Sequence, residues 1–328
     1  MENLDTASDY DALGIVPKPA SRAIEATALA RKPLRLGLVQ FAPRKGDVQA
    51  NLRSIGHALE ALADDCEPFP DVIVFPETSL SGYFVEGGVR DVAFSAEEAL
   101  DRLARVAREA CPKKETFDIV LGFYEAEHGK HYNSALYATL GARVRLHHVH
   151  RKLFLPTYGV FDEERFVSRG RAIDSFETAY GRAAILICED ACHSLATTVA
   201  ALRGASIIFI PSASPGRGLE DGEPANVRMW RDIMRVVAAE HGVYMAYAGL
   251  VGFEGGKGFT GGSRLVGPFG DLRAEAPFSE AAILRVDVSM ADVASARAAL
   301  PMLGDLESNL SEIAAMLAKL AGPRAPSA

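Results

Sequence analysis

Ala183-Ala184-Ile185-Leu186-Ile187-Cys188-Glu189-Asp190 is the stretch on which the reading of this chain turns. Five apolar residues run without a break into a cysteine, and two carboxylates follow at once. A short, continuous apolar run bounded by polar residues reads as a strand buried in a covered sheet. Cys188 then stands at the strand's carboxyl end, where open α/β sheets place their ligand crevices. The Ala-rich segment 195–202 follows as a helix. A thiol between a strand end and a helix N-terminus is expected to have a lowered pKa, which favours the nucleophilic thiolate. Free cysteine is also among the most buried and most inert residue types. The case for chemistry therefore depends on what the rest of the chain brings to Cys188.

Upstream, residues 34–41 open the body as a strand, broken by Pro43 and Gly46. Asp47 is placed to cap a helix over 48–62, with Leu52, Ile55, Leu59 and Leu62 at helical spacing. Residues 71–75 form an apolar strand that ends in Pro76-Glu77-Thr78, and 96–110 is an amphipathic helix. Strands follow at 119–123, 133–140 and 143–149, the last leading into His150-Arg151-Lys152. Downstream of Cys188, the strand 205–210 ends in Pro211-Ser212-Ala213-Ser214-Pro215. A helix over 226–240 carries Met229, Ile233, Val236 and Val237 on one side. The strand 243–250 ends in a Gly-rich segment, 252–262, within which Gly255-Gly256-Lys257-Gly258-Phe259-Thr260 reads as a flexible turn over the site. Late strands at 262–266 and 281–288 flank Gly267-Pro268-Phe269-Gly270, and a helix over 306–320 closes the chain.

Strands alternate with helices, then pair through short turns, then alternate again. That order predicts an α/β fold with paired or mixed sheets under outer helices, an αββα layering. There is no internal repeat and no interdomain linker, so 33–328 reads as one domain with a C-terminal helical tail. Residues 1–32, polar and Ala-rich with Pro17 and Pro19, read as a leader, either helical near 21–30 or disordered.

Composition narrows the function classes. The chain has 328 residues, 48% of them hydrophobic and 24% charged, with a formal net charge of −8. The negative balance argues against nucleic acid or an anionic membrane as partner. Four cysteines, Cys66, Cys111, Cys188 and Cys192, are too few for a disulfide framework and show no paired zinc-ligand spacing. No run of about 18 apolar residues predicts a membrane span. The acidic N-terminus lacks the apolar core of a secretory leader, so a reducing cytoplasm is the expected location.

Glu77 and Lys152 each follow a strand, as Cys188 does. If those strands are neighbours, a carboxylate, an ammonium and a thiol converge. Glu77 would take the thiol proton and later return it to a leaving amine. Cys188 would attack an electrophilic carbon to form a thioester. Lys152, with the Glu189 N–H, would stabilise the oxyanion. Such a site needs no metal and no cofactor. Each residue also has an ordinary reading: Glu77 as a helix cap or solvated loop, Lys152 as surface, and His147, His148, His150 and Arg151 as a polar face or a metal cluster.

The pattern Phe75-Pro76-Glu77, His150-Arg151-Lys152 and Cys188-Glu189-Asp190, in that order and each after a strand, resembles the nitrilase, or carbon–nitrogen hydrolase, superfamily. The resemblance spans about residues 34–288. It implies a four-layer αββα sandwich, commonly paired into homodimers or higher homo-oligomers through outer helices. Within the family, Lys152-Leu153-Phe154-Leu155-Pro156-Thr157-Tyr158-Gly159-Val160-Phe161-Asp162-Glu163 resembles the glutaminase domain of glutamine-dependent NAD synthetases. That likeness implies Glu163, with Glu164 as rival, as a further glutamate supporting Lys152. It also implies Tyr83, Tyr158, Glu189, Ser212 and Ser214 around the amide. No ATP-using synthetase domain and no Walker-type loop is read in this sequence. The implied activity is hydrolysis of a small carboxamide, glutamine-like or carbamoyl, with a nitrile-cleaving enzyme or a non-catalytic binding member as alternatives.

Overall fold

The computed structural model describes residues 33–65, 68–220 and 222–321. The expected leader, 1–32, lies outside the described residues, as does Cys66. Apolar strands assemble into two six-stranded sheets. The first is built from β1 (Leu34–Gln40), β2 (Val72–Val74), β3 (Thr116–Glu127), β4 (Lys130–Gly141) and β5 (Arg145–Arg151). The second uses β6 (Ser175–Thr178), β7 (Gly181–Ile185) and β8 (Ile207–Ser212). Two small hairpins then appear, β9 (Leu219–Glu220) with β10 (Glu223–Pro224), and β12 (Val251–Glu254) with β13 (Lys257–Thr260). Between and after them, β11 (Tyr244–Gly249), β14 (Arg264–Val266) and β15 (Leu272–Glu275) complete the second sheet. The last strand, β16 (Ala282–Val288), returns to the first sheet.

The spatial orders are β16-β1-β2-β3-β4-β5 and β15-β14-β11-β8-β7-β6. Each sheet has a parallel centre, β1-β2-β3 and β11-β8-β7, flanked by antiparallel strands. Alternation along the central strands sorts the side chains into layers. Leu36, Leu38, Val72, Val74 and Val120 pack toward the second sheet, in one core with Ile185, Phe209 and Met245. Val39, Ile73, Ile119 and Leu121 pack the other way, under helices α1 (Val48–Asp65) and α2 (Ala96–Ala110). Helices α3 (Ser194–Leu202) and α4 (Ala225–His241) cover the second sheet through Ala196, Ala200, Trp230 and Met234. The expected αββα sandwich is therefore the fold.

Local chemistry sets the helix starts. Asp47 Oδ1 accepts from Ala50 N at 2.9 Å, the cap read from the sequence. Ser95 and Glu98 form a reciprocal capping box at the start of α2.

Three expectations change. The strand at 281–288 does not pair across the Gly267–Gly270 turn; β14 pairs there with β15, and β16 runs antiparallel to β1. Of the expected stripe Met229–Ile233–Val236–Val237 on α4, Met229 and Val236 face outward, Val236 being 65% exposed, while Val237 with Trp230 and Met234 holds the sheet side and Ile233 packs partly against the same core. The closing helix expected over 306–320 is two, α6 (Met302–Ser308) and α7 (Leu310–Ala321), parted at Asn309, and a further helix, α5 (Met290–Ala299), precedes them and ends before Pro301.

The strand pair at the sandwich edge carries a pH-dependent term. His148 stacks on Phe176 with ring centroids 4.6 Å apart, and among the described residues its Nε2 makes no hydrogen bond. Burial, reinforced by His150, pushes its pKa down to about 4. Between that value and about 6.5 the unfolded chain binds a proton that the folded chain refuses. Stability should therefore fall as pH drops through this window and level off below it. His148→Phe should flatten the acid slope by about 1–2 kcal/mol, allowing for partial solvent access. Urea denaturation at the two ends of the window measures this; an unaltered slope would exclude His148 as its source.

Candidate functional site

The two parallel centres aim their carboxyl ends at one place between the sheets. From β2 the chain runs through Phe75 and Pro76 to Glu77; from β7, through Leu186 and Ile187 to Cys188; and β5 leads directly to Lys152. Glu77 spans the sandwich. Its Oε1 accepts from Lys152 Nζ at 2.8 Å and from Asn133 Nδ2 at 2.7 Å, while its Oε2 accepts from the N–H of Ala213, just past β8, at 2.7 Å. Glu163 completes the cluster: its Oε1 accepts from Asn133 Nδ2 at 2.8 Å, and Lys152 Nζ lies 3.0 Å from its Oε2. The neighbouring Glu164 is turned outward onto Arg169, so Glu163 is the glutamate that meets the lysine.

Backbone geometry holds this arrangement. Gly122 of β3 passes so close to the Glu77 segment that a Cβ there would stand 2.6 Å from Glu77 Cα. Only glycine permits that approach. Thr78 and Cys188 are both non-glycine residues in left-handed conformations, with φ of 49° and 44°. Each costs about 1–2 kcal/mol, and such strain concentrates where a side chain is aimed for function. Asp190, fully buried, bolts the lysine segment to the cysteine segment. It accepts from Leu153 N and Phe154 N, both at 2.9 Å, from Ile187 N at 3.1 Å, and pairs with His150 Nε2 at 2.8 Å.

The cluster is nearly dry. Glu77 is 0%, Lys152 1%, Glu163 6% and Cys188 8% exposed. Burial alone would lower the lysine pKa, but Glu163 and Glu77 override it and hold the ammonium well above its ordinary value. Burial raises the Glu163 carboxyl, with the Glu77 charge adding and Lys152 opposing. The thiol departs from the sequence-based expectation. Burial first and Glu77 second push Cys188 well above the ordinary thiol range, against Lys152. The 3₁₀ turn that begins at Cys188 is too short to offset this. The resting group is a thiol, so attack by sulfur requires a base to take its proton. Among the described residues the sulfur makes no hydrogen bond to Glu77 or Lys152, although both charges act on it. Such contacts tighten when substrate enters.

The remaining expected residues fall into three environments. Tyr83 is buried beside the cluster, with Lys152 Nζ 5.7 Å from its ring centroid, and its hydroxyl has no partner among the described residues. Ser212 is buried with its hydroxyl beside the Cys188 thiol and the Tyr247 hydroxyl, and it acts on both. The Tyr83 hydroxyl is available to a ligand. Tyr158 and Glu189 form the rim: the Tyr158 hydroxyl donates to Glu189 Oε2 at 2.9 Å, and Tyr158 is 46% exposed. Ser214 is committed inward, its Oγ accepting from Asn226 Nδ2 and Trp230 Nε1. The Gly-rich segment is the β12–β13 hairpin, and it grips the site: Glu254 accepts from the N–H groups of Tyr83 and Phe84 at 2.9 and 2.8 Å. A cavity of about 180 Å³ beside Tyr83 and Glu163 is walled by Tyr124, Val160 and Phe166. A larger cleft, about 300 Å³, lies between α1 and α2 and touches none of these residues.

Asn133, Asp190 with His150, and Glu254 were not read as site residues from sequence. Asn133 gains its place from pairing across β4 and β5, where its carbonyl accepts from Lys152 N at 2.8 Å.

Comparison with known proteins identifies the family and the fold. The carbon–nitrogen hydrolase family model matches residues 35–298. A glutamine-dependent NAD(+) synthetase of Thermotoga maritima is 29% identical over 263 residues, 79% of this chain and 42% of that protein. The chain thus spans less than half the length of such relatives. An amidase of the nitrilase superfamily from Nesterenkonia superposes with a TM-score of 0.68 at 26% identity, covering 87% of this chain and 98% of that one. A variant of that amidase carries the acetamide moiety of fluoroacetamide added covalently to its active-site cysteine. A carbon–nitrogen hydrolase from Helicobacter pylori, 22% identical with a TM-score of 0.71, covers 85% of this chain and 98% of that one and shares the fold.

Proposed function

The chain belongs to the carbon–nitrogen hydrolase family, and on that premise we propose that it hydrolyses the C–N bond of a small carboxamide through a thioester on Cys188. The observation that carries the reading is the buried cluster in which Lys152 Nζ lies 2.8 Å from Glu77 Oε1 and 3.0 Å from Glu163 Oε2, at the same strand ends as the buried Cys188. In the proposed first step the Cys188 proton passes to Glu77 as sulfur attacks the amide carbon. The oxyanion that develops faces the Lys152 ammonium, with the Glu189 N–H as second donor. Glu77 then protonates the departing ammonia or amine. Water attacks the thioester, Glu77 takes its proton, and the acid leaves as the thiol is restored. Glu163 and Asn133 keep Lys152 and Glu77 in register. The covalent cysteine adduct of the Nesterenkonia amidase supports sulfur as the attacking atom.

A panel of short amides and the nitriles of equal length, assayed for ammonia release, tests the proposal. Turnover of amides, with covalent labelling of Cys188 by a thiol-directed electrophile that substrate suppresses, is the expected result. Turnover of nitriles alone would overturn it.

A further inference from the structure

Resting on the amidase reading of the same site, we propose that Glu254 is a positioning residue for the reaction. From the end of β12 its carboxylate clamps the backbone of Tyr83 and Phe84, and through that backbone it sets the Tyr83 phenol against the substrate amide.

Glu254 stands near the tip of the β12–β13 hairpin, opposite Lys257, where a glutamate ordinarily points to solvent. Here it is only 4% exposed. Its Oε2 accepts from Tyr83 N at 2.9 Å and from Phe84 N at 2.8 Å, and its Oε1 lies 3.2 Å from Tyr83 N. Two backbone N–H groups converging on one carboxylate are charge-assisted hydrogen bonds, about twice as strong as neutral ones. Burial pushes the Glu254 carboxyl up, while the Phe84 and Tyr83 N–H groups and the Lys45 charge favour the ionised form. Gly82 makes room for the contact. A Cβ there would stand 2.8 Å from Glu254 Oε1, and its φ of 77° suits glycine alone.

The clamped segment is held from other sides as well. The Tyr124 hydroxyl donates to the Tyr83 carbonyl at 2.7 Å, so the peptide groups on both sides of Tyr83 Cα are anchored. Phe259 of β13 stacks on Phe84 with ring centroids 5.6 Å apart, and Lys257 Nζ lies 4.0 Å from the Phe84 centroid. With its backbone fixed, Tyr83 places its hydroxyl through two side-chain torsions. The ring centroid is 5.7 Å from Lys152 Nζ. Burial first, then the charges of Glu163 and Glu77, keep the phenol protonated, so it stands as a donor beside that cluster. A buried carboxylate is a costly way to close a hairpin. What it adds is placement, and a shift of about 1 Å in a group that orients substrate can cost on the order of 10²-fold in rate.

The test is a double-mutant cycle on kcat/KM for ammonia release from short amides, using Glu254→Gln and Tyr83→Phe. Glutamine keeps the volume but loses the charge that draws the two N–H groups. Glu254→Gln should lower kcat/KM about 10- to 100-fold in the wild-type background. In the Tyr83→Phe background the same change should cost less than about 3-fold, because the group that Glu254 places is already gone. Equal losses in both backgrounds are what a merely structural glutamate predicts, and they overturn the proposal. Hydrogen exchange at the Tyr83 and Phe84 amides reads the clamp in the wild type, without any variant. Slow exchange, like that of the β3 core, is expected; fast exchange overturns the clamp. Additivity or fast exchange, with amides still hydrolysed, removes the role of Glu254 and leaves the amidase reading standing. Failure of the wild type to release ammonia from any amide overturns both.

Discussion

Replacing Cys188 with alanine should lower kcat for any amide substrate by on the order of 10⁴-fold or more, because in the proposed mechanism the acyl bond forms on that sulfur. The fold should survive. The substitution deletes a single buried sulfur that makes no hydrogen bond to Glu77 or Lys152, and leaves the Lys152–Glu77–Glu163 cluster untouched. A stability change within about 1 kcal/mol is expected, from the small volume lost. Cys188→Ser should be nearly as inactive, since Glu77 would face a much less acidic hydroxyl at the same strained φ of 44°. The comparison separates a nucleophile from a packing residue, because packing alone predicts that serine, the closer match in shape, rescues. Steady-state ammonia release, with urea unfolding on the same preparations, reads both quantities. Retention of turnover by the alanine variant would remove sulfur from the mechanism.

What could be read from the sequence, and what could not, follows from the range of the interactions. Glu77 and Cys188 were legible because each ends an apolar strand, and Lys152 because it ends a strand too, though one rich in His and Arg; a strand's end is a local pattern. The layering was legible for the same reason, since buried strands alternating with capped helices leave few ways to cover two sheets. The return of β16 to β1 was not, because no residue near Ala282 indicates which distant edge it joins. Asn133 reads as one polar residue in a strand until β4 and β5 pair and set it between two carboxylates. Glu163 and Glu164 sit side by side, and only the turn of the chain after Pro156 decides which faces Lys152. The thiol was misjudged in sign. Strand end and helix start argue for a lowered pKa, but the opposing terms, burial and the charge of Glu77, exist only in the assembled core.

The Lys152 ammonium offers the second large effect, and one that separates chemistry from architecture. Lys152→Met should reduce kcat by about 10²- to 10³-fold through loss of the oxyanion donor. It should also destabilise the protein by about 3–5 kcal/mol, because Glu77 and Glu163 are then buried together without a counter-charge. A loss of activity in that variant alone is therefore ambiguous. Adding Glu163→Gln resolves it. The second change removes one of the two facing carboxylates and leaves an amide that still fits beside Asn133. The double variant should recover a large part of the lost stability while its kcat stays at the level of Lys152→Met, the non-additivity expected of residues in one network. The pH dependence carries the same sign. Lys152 is held charged by a raised pKa, so its contribution to stability is complete below about pH 10.5 and fades only as pH climbs through the folded-state value. The double variant should lack that alkaline loss. If it instead regained activity along with stability, the lysine would be a structural counter-ion, and the oxyanion would have to be held by backbone groups alone.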